Sequence, residues 1–229
     1  MHDFLESNLR DIHYLSMLTF AAALALGAYL IGSFPSGYIV GRIEGVDLRT
    51  VGSGNIGATN ALRVLGKKWG YLVFAADFLK GLLAVRVGFA AGSHFPPEHA
   101  ILGGIIAAVF AMVGHIFPVW LRFKGGKGIA TSGGIMIALF PGWVFLFGLV
   151  NWVAFFYATR YVSVASIAAA ISFPISSGFL MFFGRCDWRL VVIATLMCAL
   201  AVWRHKSNIE RLLSGTEKKF EKKRSTSNA

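Results

Sequence analysis

The feature that most constrains this chain is a polar, glycine-rich insert that separates two apolar stretches of membrane length. Residues 51–60 read VGSGNIGATN, and a second polar insert, KGGKG, occupies residues 124–128. In lipid, each unpaired backbone N–H or C=O group costs several kcal/mol. Both inserts must therefore lie at a membrane face or line a polar cavity.

The composition predicts an all-α, polytopic integral membrane protein. The chain is 56% hydrophobic and only 14% charged, whereas soluble domains carry about 25% charged residues. The net charge of +11 does not indicate nucleic acid binding, because the predicted topology gathers the basic residues on one membrane face. The predicted partner is the lipid bilayer, and no nucleic acid is expected.

Apolar runs predict seven transmembrane helices. Within the longest of them, of 31 residues, the sequence Phe140-Pro141-Gly142 is a turn signal that splits the run in two. Five spans, with that run re-entrant or unsplit, is the alternative. The seven predicted spans are 15–41, 70–92, 100–120, 128–140, 143–159, 163–183 and 188–204.

The distribution of basic residues predicts the orientation. With seven spans, seventeen of the 22 lysine and arginine residues fall on one side of the membrane. Because cytoplasmic loops carry the excess of positive charge, the N-terminus is expected outside and the C-terminus in the cytoplasm. Both glycine-rich inserts then face the cytoplasm.

The chain divides into three predicted segments. Residues 1–14 form an amphipathic lead-in, residues 15–213 a single membrane domain, and residues 214–229 a basic tail. The polar motifs all fall within the middle segment, so the candidate chemistry is expected in the membrane domain alone.

The first insert has the composition of an anion-binding loop. Glycine has no Cβ, so successive N–H groups can converge on one concavity. Ser53, Asn55, Thr59 and Asn60 add side-chain donors. These residues predict a phosphate-binding element, and the alternative is a plain connecting loop.

Two further features interrupt the predicted spans. Ser33-Phe34-Pro35-Ser36-Gly37 breaks the first span, either as an ordinary kink or as an opening toward a polar cavity. Asp77 and Lys80, at i and i+3 in the second span, are predicted to pair and to position the loop, because intramembrane charges are costly when unpaired.

Histidines on two predicted helices have alternative roles. His115 fits a packed core residue better than a ligand. His205 and Asn208 share a helical face just after the last span, where they can bind a hydroxyl or phosphate group. In isolation, a histidine beside a basic tail is more often simply solvated.

The absent motifs narrow the class of function. The chain has no Gly-x-Ser-x-Gly and no His-x-x-x-x-Asp, so the common serine nucleophile and His/Asp acyltransferase pair are excluded. A membrane transporter of a phosphate-type anion is the alternative to an enzyme, and its signature is an internal repeat with helices broken near the midplane. The breaks here cluster at one face without a repeat, which favours an enzyme.

Five motifs in order resemble the acyl-phosphate-dependent glycerol-3-phosphate acyltransferase family, PlsY. The similarity extends from about residue 28 to residue 215. The motifs are GSFPSG (32–37), GSGNIGATN (52–60), GHIFPV (114–119), FKGGKG (123–128) and RHKSNI (204–209).

The resemblance implies a seven-helix enzyme of the bacterial inner membrane, without metal or cofactor and with its active site on the cytoplasmic face. It would move a fatty acyl group from acyl phosphate to the 1-hydroxyl of sn-glycerol 3-phosphate. The products would be lysophosphatidic acid and phosphate, in the first step of bacterial phospholipid synthesis. Functional coupling to an enzyme that produces acyl phosphate is also implied.

The resemblance also assigns roles to individual residues. The general base stays open between His205 and an oxygen of the donor phosphate; the phosphate is favoured, because no carboxylate in the sequence is evident to orient His205. By similarity, Arg63, Lys124, Ser163 and His205 are catalytic and form the glycerol 3-phosphate pocket with Asn208; Gly52, Ser53, Gly54, Asn55, Gly57, Ala58, Thr59 and Asn60 hold the acyl phosphate head; and Ser33, Lys127 and Thr131 complete the wall.

Overall fold

A computed structural model describes residues 2–96 and 98–220 of the chain. Within these residues the secondary structure is entirely helical, which confirms the predicted all-α class. The α-helices are α1 (His2–Gly32), α2 (Ser36–Ile43), α3 (Ala58–Leu65), α4 (Lys67–Gly92), α5 (Glu98–Ile116), α6 (Ile129–Leu139), α7 (Gly142–Thr159), α8 (Val162–Phe182), α9 (Trp188–Arg204) and α10 (Lys206–Leu213).

The chain forms two compact units that meet in sequence between Leu139 and Phe140. The boundary coincides with the predicted turn, since α6 ends at Leu139 and Pro141 precedes the first residue of α7. The prediction that the long apolar run is split is therefore confirmed.

By length and composition, four described helical segments suit a membrane span. They are Tyr14–Ile43, His99–Leu121, Gly142–Thr159 and Val162–Phe182, and the bent pair of α9 and α10 makes a fifth if it counts as one span. The predicted spans 70–92 and 128–140 do not meet this criterion of length and composition, and each has a physical reason. Helix α4 carries Asp77, Lys80 and Arg86, and α6 has only 11 residues, about half the length that crosses a bilayer. The number seven stays a prediction.

The first unit packs through small residues, as lipid-exposed helices require for close approach. Gly88 of α4 and Gly103 of α5 meet so closely that a Cβ on either would collide with the backbone of the other helix. Gly81 of α4 lies in the same way against the carbonyl of Thr131. Ala107, which also faces Gly88, is fully buried. These approaches set α5 and α6 against α4.

The second unit contains α7 to α10. Gly148 of α7 lies against the ring of Phe173 in α8. Pro174 lies inside α8, and the hydroxyl groups of Ser176 and Ser177 donate to carbonyls of the preceding turn, as serines in apolar helices do. Helices α9 and α10 meet at His205 with a bend of 54°.

The predicted end segments are described only in part. Helix α1 begins at His2, so the lead-in of residues 1–14 is continuous with the first apolar stretch. Residues 221–229, which hold the last three basic residues of the predicted tail, lie outside the described part of the chain.

Candidate active site

The helix break predicted in the first apolar stretch is present. Helix α1 ends at Gly32 and α2 begins at Ser36, with Pro35 between them. Proline has no N–H and disrupts the helical ladder. Ser33 is 1% exposed, and its hydroxyl has no hydrogen-bond partner among the described residues. The break therefore places a buried hydroxyl group where a ligand oxygen can bind.

The glycine-rich insert is a loop that leads directly into α3. Gly52 and Gly54 have φ angles of 66° and 69°, a left-handed conformation that costs other residues about 1–2 kcal/mol. Gly57, by contrast, has φ −76° and is the N-cap of α3. Ala58, Thr59 and Asn60, which were expected in the loop, form the first turn of this helix. The Asn60 N–H donates to the Gly57 carbonyl within this turn at 3.1 Å.

Two asparagine side chains brace the loop from inside. Asn60 is 1% exposed; its carbonyl oxygen accepts from the Ser53 N–H at 2.9 Å, and its amide donates to the backbone carbonyls of Leu48 and Val51. Asn55 Oδ1 accepts from the Gly57 N–H at 2.8 Å. The structure thus gives both amides an architectural role, and their predicted contact with substrate stays a prediction.

The loop lies against the helix break. Gly37 of α2 packs so tightly on the carbonyl of Ile56 that a Cβ would collide with it. Arg63 follows in the last turn of α3 and is half-buried. The first unit therefore brings the break, the loop and Arg63 into one region.

The KGGKG insert is an irregular segment whose backbone is hydrogen-bonded to the end of α5. Before it, Arg122 and Phe123 both have positive φ. The N–H groups of Gly125 and Gly126 donate to the carbonyls of Ile116 and His115, at 3.0 and 3.2 Å. These carbonyls belong to the last turn of α5, which has no helical donors for them, so the insert caps α5.

The side chains around this insert differ in exposure. Lys124 is exposed, Lys127 is half-buried, and Gly125 and Gly126 are buried. Thr131, two residues into α6, is fully buried, and its hydroxyl has no hydrogen-bond partner among the described residues. Ser33 and Thr131 are thus buried hydroxyl groups in the same unit, each without a described partner.

In the second unit, Ser163 and Asn208 share one partner that the sequence analysis did not identify. The Glu217 carboxylate accepts from Ser163 Oγ at 2.8 Å and from Asn208 Nδ2 at 2.6 Å through one oxygen. Its other oxygen accepts from Arg211 Nε at 2.7 Å. The side chain of Glu217 is only 7% exposed. Glu217 therefore joins two of the predicted site residues.

A turn after α10 explains how Glu217 reaches this position. Gly215 has φ 71°, which reverses the chain, and the Phe220 N–H then donates to the Arg160 carbonyl at 2.8 Å. The Phe220 ring packs edge-on against Phe156. The Ser-Gly-Thr turn signal directly before Glu217, the first of two acidic residues in a basic segment, was the available clue in the sequence.

The environment of Glu217 holds its carboxyl group in the charged form. Burial alone would raise the pKa of Glu217, but the hydrogen bonds from Asn208, Ser163 and Arg211 outweigh it and lower the pKa below the usual glutamate value. The folded state therefore binds a proton here less readily than the unfolded chain does.

His205 lies at the bend between α9 and α10 and is 3% exposed. Its Nδ1 is 2.8 Å from the carbonyl of Ala201. A carbonyl can only accept, so Nδ1 carries the proton, and the lone pair of the neutral ring is on Nε2.

Among residues 2–96 and 98–220, no three histidine, cysteine, aspartate or glutamate side chains form a metal-binding group.

The predicted site residues are distributed over both units. Ser33, Gly52, Ser53, Gly54, Asn55, Gly57, Ala58, Thr59, Asn60, Arg63, Lys124, Lys127 and Thr131 belong to the first unit, and Ser163, His205 and Asn208 to the second.

The described residues form a helical protein with membrane-length apolar helices and a glycine-rich loop that leads into a helix N-terminus. A family model described as glycerol-3-phosphate acyltransferase matches residues 22–215. The glycerol-3-phosphate acyltransferase of Bacillus subtilis is 42% identical over 86% of this chain and 96% of its own length. That of Aquifex aeolicus is 42% identical over 87% of this chain and 99% of its own.

Solved structures give the same answer. One match is the crystal structure of PlsY, an integral membrane glycerol 3-phosphate acyltransferase, in its glycerol 3-phosphate form. The two sequences are 41% identical, the match covers 88% of this chain and 96% of that chain, and the TM-score is 0.77. The lysophosphatidic acid form is 40% identical over 88% and 95%, with a TM-score of 0.75. The chain belongs to the glycerol-3-phosphate acyltransferase family, which confirms the prediction of an enzyme over a transporter.

Substituting Gly54 tests the loop geometry. Gly54→Ala forces a Cβ into the left-handed region at φ 69°, so we expect the loop to relax and turnover to fall at least about tenfold, which corresponds to 1.4 kcal/mol of barrier. Gly45 has the same φ, and its Cβ would meet no atom within 4 Å. Gly45→Ala, which introduces the same backbone strain outside the loop, should keep normal turnover in membranes. Equal activities of the two variants would show that the loop is only a connector.

Substituting Glu217 tests the second cluster through its pH dependence. Because the folded pKa is lowered, the stabilisation is complete above the unfolded value of about 4.3 and disappears as the pH falls through the folded pKa. Glu217→Gln should lose about 1–3 kcal/mol of unfolding free energy at neutral pH and should lack this acid-dependent decline.

Thermal unfolding in detergent between neutral and acid pH measures both effects. Glu210→Gln removes an acid at an exposed position of α10 and serves as the control, with the acid-dependent decline retained. An unchanged pH profile in Glu217→Gln would contradict the assignment.

Proposed function

We propose that this chain transfers a fatty acyl group from acyl phosphate to the 1-hydroxyl of sn-glycerol 3-phosphate, giving lysophosphatidic acid and phosphate. This reaction is the first step of bacterial phospholipid synthesis. The observation that carries the proposal is the glycine loop at the start of α3, in a chain 42% identical to named glycerol-3-phosphate acyltransferases. Such a loop suits a phosphate and offers nothing for an adenine ring.

We assign the acyl phosphate head to the loop and the first turn of α3. Gly52 and Gly54 have the left-handed backbone of this loop, the loop leads directly into α3, and a helix N-terminus favours negative charge. Ser53 and Thr59 are the side chains with exposed or half-exposed hydroxyl groups here. The full set is Gly52, Ser53, Gly54, Asn55, Gly57, Ala58, Thr59 and Asn60.

We assign glycerol 3-phosphate to five residues that supply charge and hydrogen bonds. Arg63 and Lys124 neutralise the phosphate dianion, and Ser163, His205 and Asn208 bind its oxygens and hydroxyl groups. Ser33, Lys127 and Thr131 complete the wall. The buried hydroxyl groups of Ser33 and Thr131 support this assignment, because unpaired buried hydroxyls cost about 1–3 kcal/mol unless a ligand binds them.

The chemical step is direct attack on a mixed anhydride. The glycerol 1-oxygen bonds to the acyl carbon, the bond from that carbon to the phosphate oxygen breaks, and the hydroxyl proton passes to an oxygen of the departing phosphate. The protein aligns the reactants and stabilises the developing charge. The neutral carbonyl partner of His205 supports a binding role for this histidine, since a general base is usually oriented by a carboxylate.

We also propose the topology that the charge bias predicts. Seven spans, an outer N-terminus and a cytoplasmic C-terminus place both glycine-rich inserts at the cytoplasmic face of a bacterial inner membrane. Acyl phosphate is a reactive anhydride, so coupling to the enzyme that produces it follows from the chemistry of the donor. No metal or cofactor takes part in this proposal.

Donor choice tests the proposed function. Purified protein should release phosphate and form lysophosphatidic acid from acyl phosphate and glycerol 3-phosphate, and acyl-CoA of the same chain length should give no comparable rate. Lys124→Met, which removes a full charge from the dianion pocket, should lose turnover in the same assay and excludes a contaminating activity. Comparable rates from acyl-CoA would overturn the proposal.

Substituting His205 separates binding from proton transfer. If His205 only orients glycerol 3-phosphate, His205→Gln should raise KM for this substrate and keep much of kcat, with Lys124 and Arg63 substitutions more harmful. A lost general base would instead lower kcat about 10²- to 10⁴-fold at saturation.

The kinetic constants, measured across pH, decide between these roles. His94→Gln, at an exposed histidine, is the control and should match the wild type. If kcat of the wild type changes with pH near neutrality and this change is absent in His205→Gln, His205 is the general base.

A further inference from the structure

A buried polar cluster in the first unit links the helix break to the KGGKG insert. Asp77 Oδ1 accepts from Ser36 Oγ at 2.6 Å and from Lys80 Nζ at 2.7 Å. The Nδ1 atom of His115 lies 3.7 Å from the same oxygen. Each of these four side chains is at least nine-tenths buried. We call Ser36, Asp77, Lys80 and His115 the carboxylate cluster.

The cluster holds the backbone of the break. Pro35 interrupts the helix, and Lys80 Nζ donates to the carbonyl of Phe34 at 2.9 Å. The Ser36 N–H donates to the same carbonyl at 3.1 Å. Lys80 and Ser36 thus fix the two residues that follow Ser33.

The same cluster reaches the KGGKG insert through His115. The His115 carbonyl accepts from the Gly126 N–H, and the imidazole lies so close to Gly126 that a Cβ there would collide with the ring. The position of the ring therefore limits the position of the insert that carries Lys124 and Lys127.

A buried ion pair contributes little net free energy to folding stability. Desolvation of two charges often exceeds their mutual attraction, and apolar replacements are frequently as stable. Within a membrane helix the cost is greater still. The pair is thus better explained by the geometry that it imposes.

We propose that Asp77 and Lys80 are positioning residues for acyl transfer: they hold Ser33 of the helix break and the lysines of the KGGKG insert in register. This inference rests on the proposed function. It adds that the carboxylate of Asp77 maintains the geometry of the predicted site residues in the first unit.

The test compares Asp77→Asn with the double variant Asp77→Asn/Lys80→Met. The single variant leaves a buried ammonium without its carboxylate and should lose both thermal stability and activity. The double variant removes both charges and should regain stability, while kcat stays reduced by about 10²-fold, the loss that small misplacements produce. The KM values for both substrates should change far less than kcat. A double variant that regains kcat together with stability would show that the pair is only structural.

Ser36→Ala keeps the ion pair and removes only the hydroxyl contact, so it tests the proposal even if the charge variants fail to fold. It should lower kcat several-fold with a smaller fall in melting temperature than Asp77→Asn causes, because only one hydrogen bond is lost; a normal kcat would overturn the proposal. Arg86→Met removes an exposed charge from the same helix and should match the wild type. Wild-type protein without turnover from acyl phosphate would instead refute the proposed function.

Discussion

The structure depends on one constraint: backbone polar groups in a membrane-embedded chain must be paired. A regular helix pairs its own groups, but this chain breaks its helices where polar residues are needed. At two of these breaks, neighbouring groups supply the missing partner. Lys80 binds the carbonyl left at the Phe34–Pro35 break, and the amides of Gly125 and Gly126 bind the last carbonyls of α5. The requirement for pairing thus converts irregular segments into rigid ones.

Much of the architecture was predictable because it follows from local rules. The turn at Phe140 and Pro141 comes from restricted proline geometry, and α6 and α7 separate there. The pairing of Asp77 with Lys80 follows from i, i+3 spacing on a helix, and the structure places their charged atoms 2.7 Å apart. The number of spans is harder to predict. Helix α4 is long enough to span a bilayer, but it carries charged residues, which are unfavourable in a span.

The site was predictable as a set of residues but not as a set of contacts. Asn60 has the sequence character of a ligand donor, yet contacts with Leu48, Val51 and Ser53 engage its side chain. Gly57 belongs to the same glycine-rich insert as Gly52 and Gly54, but it has φ −76° and is the N-cap of α3. The contact between Glu217 and Ser163 was missed because the two residues are 54 apart in the sequence. No local pattern encodes a contact of that separation.

The chemistry explains why rigidity is the main requirement. An acyl phosphate already contains a good leaving group, so the protein needs no nucleophile and little acid–base power. What the proposed reaction still requires of the protein is the alignment of a hydroxyl with a carbonyl while charge moves to phosphate. In the proposed reaction the loop and the start of α3 hold the anion, and the contacts of Asn55 and Asn60 hold the loop in place. On the proposal made above, a residue that never touches substrate, Asp77, influences the reaction through the groups that it holds.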